Sequence, residues 1–287
     1  MAYTVAVSFD QFFDKINLSG DHRATATARK DALIVLLKKH FTVLEGFATG
    51  SIPRFTAVTE HADLDVMVAL HYGNHIEGKT PAQVLQKVRD ALSDYRTNVR
   101  KNGQAVTLYY DSWPNVDVVP VSRTTGNNGA VLHYNVPDMN NGVWLQSMPH
   151  AHGDVLAERN NNCGANFKKI IKMIKWWNHQ HSSLMQSYHI EVLALNAFGS
   201  TLADFSWDVF QYFDKAHSAT GSPLFYNGEL VDGYLNGANR LEVQKRLATA
   251  RDRARDAWHA TYGTNNSHEK AIGIWRQIFG DKFPSYG

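Results

Sequence analysis

The chain has 287 residues, of which 44% are hydrophobic and 20% are charged, as in an ordinary globular protein with a substantial core. Its net charge of +2 is too small to indicate nucleic-acid or membrane binding by itself, and no apolar run approaches the ~20 residues that span a bilayer. The single cysteine, Cys163, excludes an internal disulfide and a cysteine zinc site. Because the start of the chain lacks the pattern of a signal peptide, we expect a cytoplasmic protein.

The first half of the chain alternates helical and strand-like segments. Apolar residues recur at helical spacing early in the chain, and Pro81 after Thr80 indicates the start of a further helix. Short runs of Val, Leu, Met and Ala bounded by turn residues predict strands. The predicted elements are helices over about 8–17, 21–40 and 81–101, and strands over 64–70, 105–110 and 116–121.

The second half of the chain is mainly helical. Residues 123–165 are rich in Gly, Asn and Pro, so we expect a hairpin and loops there. Helices are then predicted over about 167–179, 187–198, 241–259 and 267–279. This order predicts an α+β fold made of two lobes, residues 1–130 and 131–287, in one compact unit with the active site in the cleft between them.

Three aspartates in strand-like segments are the clearest sign of chemistry. Asp63 and Asp65 are separated by one residue, so in a strand both carboxylates point to the same side. Asp117 lies in the apolar segment VDVVPV, and neighbouring strands would bring the three carboxylates together. Crowded carboxylates repel one another unless a cation lies between them, and oxygen ligands of this kind suit Mg²⁺. An Asp-x-Asp pair alone is more often a solvated strand end.

The Gly50–Ser51 pair precedes the aspartates and predicts a tight turn. Glycine allows the backbone to approach a phosphate closely, while exposed amides and the serine hydroxyl can donate hydrogen bonds to it. Gly-Ser alone is an ordinary turn. Its position twelve residues before Asp63, with Asp117 beyond, makes a site for a nucleotide phosphate the better interpretation.

A second cluster lies in the helical half. Lys168, Lys172 and Lys175 share one face of a predicted helix, and three like charges on one stripe suit an anion such as a triphosphate. A solvated basic face is the simpler interpretation of the lysines taken alone. Ser187 begins the next predicted helix as a cap or phosphate donor, and Tyr188 offers a flat surface for a base or packs in the core.

Together these segments resemble the bacterial cGAS/DncV-like CD-NTases, which are cyclic-oligonucleotide synthases of the polymerase-β-like nucleotidyltransferase superfamily. Two further segments, VPDMNNGVWLQSMPHAHGDVL and IWRQIFGDKFP, also look like bacterial members. The linker IPRFTAVTEHA matches the family's pattern loosely, which leaves roles for Arg54 and Thr56 open. The five matching elements occur in the family's order: Gly50-Ser51, Asp63-x-Asp65, VDVVPV with Asp117, IKMIKWWN with Lys172 and Lys175, and SYHIEVL with Ser187 and Tyr188.

The resemblance implies a polymerase-β-like core, in which a mixed sheet is flanked by helices, and a helical C-terminal lobe. It implies two Mg²⁺ ions, or Mn²⁺, held by the catalytic residues Asp63, Asp65 and Asp117. Nucleotide-binding residues implied in the same way are Gly50, Ser51, Lys172, Lys175, Ser187 and Tyr188, with the tyrosine stacking on a base. The zinc insertion by which animal members sense DNA is not expected in a chain with one cysteine.

The implied activity joins NTPs into a cyclic di- or trinucleotide second messenger, with release of pyrophosphate, in bacterial anti-phage signalling through a separate effector. A monomer without membrane contact is expected. Alternatives on the same fold are a linear 2′-5′ oligoadenylate synthase and a tRNA or protein nucleotidyltransferase. The basic segments Arg96–Lys101 and Arg240–Arg255 leave a non-catalytic nucleotide- or RNA-binding module as a further alternative. No motif in the sequence specifies the bases, the linkage or the ring size.

Overall fold

The computed structural model describes residues 3–262, 264 and 266–287, and within them the chain forms ten helices and nine strands. The helices are α1 (Val5–Ile16), α2 (Gly20–Leu37), α3 (Tyr72–His75), α4 (Pro81–Ser93), α5 (Pro149–Cys163), α6 (Asn166–Gln180), α7 (Ser187–Ala197), α8 (Phe205–Ala219), α9 (Gly237–His259) and α10 (His268–Phe279). The strands are β1 (Val43–Thr49), β2 (Leu64–Leu70), β3 (Val99–Asn102), β4 (Ala105–Leu108), β5 (Val116–Thr125), β6 (Val131–Asp138), β7 (Val143–Ser147), β8 (Phe225–Tyr226) and β9 (Glu229–Leu230).

The chain divides into two compact units. The sheet unit comprises Leu18–Phe55 and Ala62–Asp154, and the helical unit comprises Met1–Asn17, Thr56–His61 and Val155–Gly287. The helical unit is therefore assembled from three separate stretches of chain. The predicted lobes, residues 1–130 and 131–287 with an active site in the cleft, stay a prediction.

The sheet unit is built on one mixed sheet in the order β1-β2-β5-β4-β3, and β5 continues into pairing with β6, which pairs with β7. Strands β2 and β5 are parallel, whereas their other neighbours are antiparallel. The central strand β2 is buried at nearly every position, which is typical of a strand covered on both faces. Helices α2 and α4 pack against the sheet. This arrangement confirms the predicted α+β class.

Capping explains where the helices of the sheet unit begin. Ser19 and His22 form a capping box at the start of α2, and Thr80 and Gln83 form another at α4. The prediction that this last helix continues to residue 101 is wrong, because α4 ends at Ser93 and β3 follows. In β3 a buried valine is followed by exposed and half-buried polar residues, which suits an edge strand and not a helix.

The helical unit packs around aromatic side chains. Phe9 and Phe12 of α1 have no exposed surface, and Phe9 lies edge-on to Trp275 of α10, with ring centroids 4.9 Å apart. Phe12 packs on Phe279 at 4.7 Å. The last helix begins at Ser267 as predicted, and Ser267 caps α10 by accepting a hydrogen bond from the amide of Lys270. The first helix of the chain is thus part of the same core as the last.

Besides β3, six elements were not predicted from the sequence, and the short α3, β8 and β9 are three of them. Strand β1 lies before the Gly50–Ser51 turn, α5 lies in the region expected to form loops, and α8 lies in a segment that had no assignment. In contrast, β2 has the predicted bounds. Among the described residues, none of the helices combines the length and the apolar composition needed to cross a bilayer.

Candidate active site

Asp65 and Asp117 lie side by side in the centre of the sheet. Asp65 is the second residue of β2, Asp117 is the second residue of β5, and the two residues are directly paired in the parallel register. Paired residues on adjacent strands project on the same face of a sheet, so both carboxylates occupy one face. Both residues are half-buried. The structure therefore brings together two of the three predicted aspartates.

Asp63 lies one residue before β2, and its carboxyl is coupled electrostatically to Asp117. Burial and the negative charge of Asp117 raise the pKa of Asp63 above its ordinary value, while a hydrogen bond with the Asn115 side chain opposes the shift. The main chain of Asn115 also accepts a hydrogen bond from the amide of Leu64 at 2.9 Å, which ties the starts of β2 and β5 together. The hydrogen bond from Asn115 therefore compensates the negative charge of Asp63 and Asp117 only in part.

Thr107 is a neighbour of Asp117 that the sequence analysis missed. It is buried on β4 and pairs with Asp117 in the antiparallel register. Its hydroxyl donates a hydrogen bond of 2.5 Å to Oδ1 of Asp117. Asp117 thus has a carboxylate on one neighbouring strand and a hydroxyl donor on the other. A single threonine in a short apolar strand gives no sequence signal for this role.

The Gly50 turn lies directly against Asp65. Thr49, the last residue of β1, pairs with Asp65, and Gly50 follows with φ +75°. A Cβ placed on Gly50 would lie 1.8 Å from Oδ2 of Asp65, so only glycine fits at this position. The backbone of the predicted phosphate turn and the carboxylate of a predicted metal ligand are therefore in contact.

The donor set suits a hard divalent cation. Clustered carboxylate oxygens are ligands that Mg²⁺ takes, and a cation would offset the negative charge of Asp117 that, after burial, raises the pKa of Asp63. Among the described residues, no group of three His, Cys, Asp or Glu side chains is arranged as a metal cage. Metal binding by Asp63, Asp65 and Asp117 stays a prediction that their chemistry fits.

The two predicted phosphate lysines lie in the helical unit, and both are buried. Lys175 Nζ forms an ion pair with Oε1 of Glu191 at 2.7 Å and donates to the hydroxyl of Thr56 at 3.2 Å. Lys172 Nζ donates to Oδ1 of Asn17 at 2.6 Å. The lysines on the predicted basic face of α6 therefore contact polar residues of the helical unit itself. The phosphate contacts of both lysines stay predictions.

Ser187 and Tyr188 begin α7. Ser187 is exposed and is the first helical residue, and Gln186 before it makes no side-chain cap, so the first amides of the helix have no capping side chain. Tyr188 is half-buried and lies edge-on to Tyr226, with ring centroids 6.4 Å apart. The N-terminus of a helix favours anions because its first amides point away from the helix and the positive end of the helix dipole lies there. This suits the predicted phosphate contact of Ser187.

Comparison with known proteins gives the family. The sequence profile of the Second Messenger Oligonucleotide or Dinucleotide Synthetase (SMODS) domain matches residues 3–160, which is more than half of the chain. A probable cyclic nucleotide synthase of Bacillus cereus (strain VD146) is 23% identical, with 100% of this chain and 99% of the relative aligned. The Cyclic AMP-AMP-AMP synthase of Acinetobacter sp. (strain ATCC 27244 / 9458) is 26% identical over 89% of this chain and 77% of its own length.

A solved structure has the same fold. The structure of CdnC with ATP from E. coli MS115-1 superimposes with a TM-score of 0.74 at 19% sequence identity, covering 97% of this chain and 98% of that chain. It confirms the predicted polymerase-β-like core with a helical C-terminal part. The profile match, together with this fold, also confirms the predicted enzyme class. The chain belongs to the SMODS family and is a nucleotidyltransferase that makes an oligonucleotide second messenger.

Proposed function

We propose that the protein joins nucleoside triphosphates, with ATP among them, into a cyclic di- or trinucleotide and releases pyrophosphate. The observation that carries the proposal is the pairing of Asp65 with Asp117 on parallel strands, with the Gly50 turn against Asp65. The names of the similar proteins support the substrate. The Acinetobacter relative is a cyclic AMP-AMP-AMP synthase, and the E. coli structure is of CdnC with ATP.

The proposed metal ligands are Asp63, Asp65 and Asp117. Two Mg²⁺ ions, or Mn²⁺, would be held by these carboxylates and by the donor phosphates. When bound, the ions supply positive charge that offsets the charge of the phosphates and of the crowded aspartates. The contribution of the chain is to hold Asp117 in a fixed orientation through the hydroxyl of Thr107.

In the proposed reaction a 2′- or 3′-hydroxyl of one nucleotide attacks the α-phosphorus of another. The new P–O bond forms as the bond to pyrophosphate breaks, and the carboxylate of Asp117 accepts the hydroxyl proton. The linear product then rebinds in the opposite sense, and the same step closes the ring. Gly50, Ser51, Lys175 and Ser187, with Lys172 nearby, bind the donor phosphates, and Tyr188 stacks on a base.

The biological part of the proposal follows from the family. The cyclic product activates a separate effector protein in an anti-phage response, and the enzyme acts as a cytoplasmic monomer. A bacterial strain that makes the protein together with its effector is expected to resist phage infection, and the Asp65→Asn variant is expected to be sensitive. Equal resistance in the two strains would contradict the anti-phage role without affecting the enzymatic one.

The experiment that tests the activity is product analysis. Purified protein is incubated with all four NTPs and Mg²⁺, treated with phosphatase, and the products are identified by mass spectrometry. A phosphatase-resistant cyclic product is expected, whereas D65N and D117N should lose at least ~100-fold of the rate because each removes a charged group at the reaction centre. The matched control D90N changes an exposed aspartate on α4 and should retain full activity.

Each result separates one alternative from the proposal. A linear product sensitive to phosphatase would indicate an oligoadenylate-type synthase, and label transferred to tRNA or protein would indicate another nucleotidyltransferase. Removal of the metal with EDTA is expected to stop turnover, and excess Mg²⁺ should restore it. Full turnover in EDTA would overturn the metal assignment.

A further inference from the structure

Lys175 belongs to a buried three-residue cluster that includes an acid with no assigned role. The ammonium group and the carboxylate of Glu191 are 2.7 Å apart, and their side chains are 2% and 0% exposed. Thr56, also fully buried, donates its hydroxyl to the same Oε1 of Glu191 at 2.5 Å and accepts from Lys175 at 3.2 Å. Each member of the cluster thus contacts both of the others.

Stability alone is a weak reason for such a cluster. Burying two charges costs several kcal/mol per ion before their attraction repays it, and well-packed apolar residues often do as well or better. The neighbouring Lys172 is also buried but contacts the neutral amide of Asn17. Lys175 has a fully buried carboxylate within an ion-pair distance. A specific geometric task explains the cost better than stability does.

The position of Glu191 on α7 suggests this task. Glu191 is four residues after Ser187, so the two side chains lie on the same face of the helix, one turn apart. The ion pair to Lys175 on α6 therefore turns the Ser187 face of α7 toward the lysine. The N-terminus of α7, which has no side-chain cap, lies at the end of that same face. Glu191 thus contacts one proposed phosphate-binding residue, Lys175, and shares a helix face with another, Ser187.

We propose that Glu191, supported by Thr56, is a positioning residue for the donor triphosphate. It compensates the buried charge of Lys175, holds the ammonium group, and sets the Ser187 face of α7 for the phosphates of an NTP. Glu191 does not contact the nucleotide. The inference rests on the proposed function, since it assigns Lys175 and Ser187 to the donor phosphates.

The test compares substitutions of the cluster by nucleotide binding and by kinetics. Glu191→Gln keeps the size and a hydrogen-bond acceptor but removes the charge, and it is expected to raise the KM for ATP about tenfold while kcat changes less than threefold. The increase in Tm on adding ATP with Mg²⁺ should be smaller for E191Q than for the wild type, because the variant binds ATP more weakly. Thr56→Val should raise the KM for ATP about threefold. T56S keeps the hydroxyl and should have the wild-type KM.

A matched control comes from a half-buried ion pair of the same unit. Glu242 is bonded to Arg246 on α9 at 2.7 Å, and E242Q is expected to leave KM unchanged. If E191Q lowers Tm without ATP but keeps the wild-type KM and ATP-induced shift, the cluster is merely structural and the proposal is overturned. Tighter ATP binding by E191Q would also overturn it, because Glu191 would then compete with phosphate.

The two proposals fail in different ways. The Tm shift with ATP reports binding without turnover, so a wild-type protein that makes no cyclic product can still show the effect of E191Q. That result would overturn the proposed product and support the positioning role. If E191Q does not fold, the T56V and T56S pair carries the test, and an unchanged KM in both contradicts the proposal.

Discussion

Asp117 has a different chemical neighbour on each side of its strand. The carboxylate of Asp65 is on β2, and the hydroxyl of Thr107 is on β4. The first neighbour adds negative charge, and the second donates a hydrogen bond that fixes one carboxylate oxygen. The free oxygen of Asp117 is therefore held in one orientation, as a group that accepts a proton or binds a cation requires.

The hydroxyl of Thr107 can be tested by an isosteric change. Thr107→Val removes the donor, and since hydrogen bonds to charged groups contribute about 1.5–3 kcal/mol, we expect the rate to fall ten- to 100-fold. Thr107→Ser keeps the hydroxyl and should retain most of the activity. Initial rates of product formation check this, with Tm measured in parallel. Equal rates for T107V and wild type would show that Asp117 needs no orienting donor.

Gly50 gives a second prediction at this scale. Gly50→Ala places a methyl group against Oδ2 of Asp65 and strains a backbone at φ +75°, so we expect activity to fall at least 100-fold. Gly78→Ala is the matched control, because Gly78 has φ +68° but nothing within 4 Å of the added Cβ. G78A should lose about 1–2 kcal/mol of stability and keep its activity. Similar activity losses in both variants would assign the effect to strain alone.

Among the proposed site residues, the sequence indicates only those that stand out from a pattern. Asp63, Asp65 and Asp117 interrupt apolar runs, and Gly50 precedes them in a turn signal. Thr107 and Glu191 act through contacts to other elements, and a threonine in a strand or a glutamate in a helix is unremarkable where it stands. Such roles depend on strand register and helix packing, which a single sequence does not specify.

At the scale of elements, α8 carries an acid in an unfavourable place. Asp208 lies one turn into the helix and is buried, although its carboxylate accepts a hydrogen bond from the amide of Asp204. Burial raises the pKa of Asp208 to about 6. The folded protein therefore holds this proton more tightly than the unfolded chain, whose aspartates have a pKa near 3.8.

This shift predicts a pH-dependent cost to stability. Asp208 does not oppose folding below about pH 4. Its destabilising effect grows between about pH 4 and pH 6, where the unfolded chain has lost the proton and the folded protein still holds it, and above that range it stays constant at no more than about 3 kcal/mol. Asp208→Asn should therefore stabilise the protein at pH 7.5 and lose this advantage at pH 4. Urea unfolding at several pH values measures the difference. The exposed Asp214 on the same helix supplies a control, since D214N should show no such trend.

Both edge strands of the path β1-β2-β5-β4-β3 were missed by the sequence analysis. Strand β1 is half-buried except at the exposed Leu44 and carries Glu45 and Gly46, so it lacks the alternation that marks a strand. Strand β3 is four residues long and mostly charged or polar, so it continues the composition of the helix before it. In both cases pairing with a neighbouring strand, not local pattern, determines the structure. The buried β2, in contrast, was predicted to the residue.

At the scale of the molecule, the helical unit depends on its first segment. Phe9 of α1 packs on Trp275, Phe279 and Phe283. Phe9→Ala leaves a cavity among these rings, and we expect the free energy of unfolding of the helical unit to fall by about 3–5 kcal/mol. Urea unfolding followed by tryptophan fluorescence measures it. Val7→Ala on the same helix, where the valine is 42% exposed, should change it by less than about 1 kcal/mol.

The three-segment assembly of the helical unit also has a consequence in time. The amide of Val5 donates to Nδ1 of His268, a residue 263 positions further along the chain. At the usual pace of translation, roughly 10–50 s separate the synthesis of these two residues. During that interval α1 is outside the ribosome while the helix that covers Phe9 and Phe12 does not yet exist. Phe9 can pack on Phe205 of α8 before that, but the part of the α1 aromatic surface that contacts Trp275 and Phe279 must wait until α10 is made.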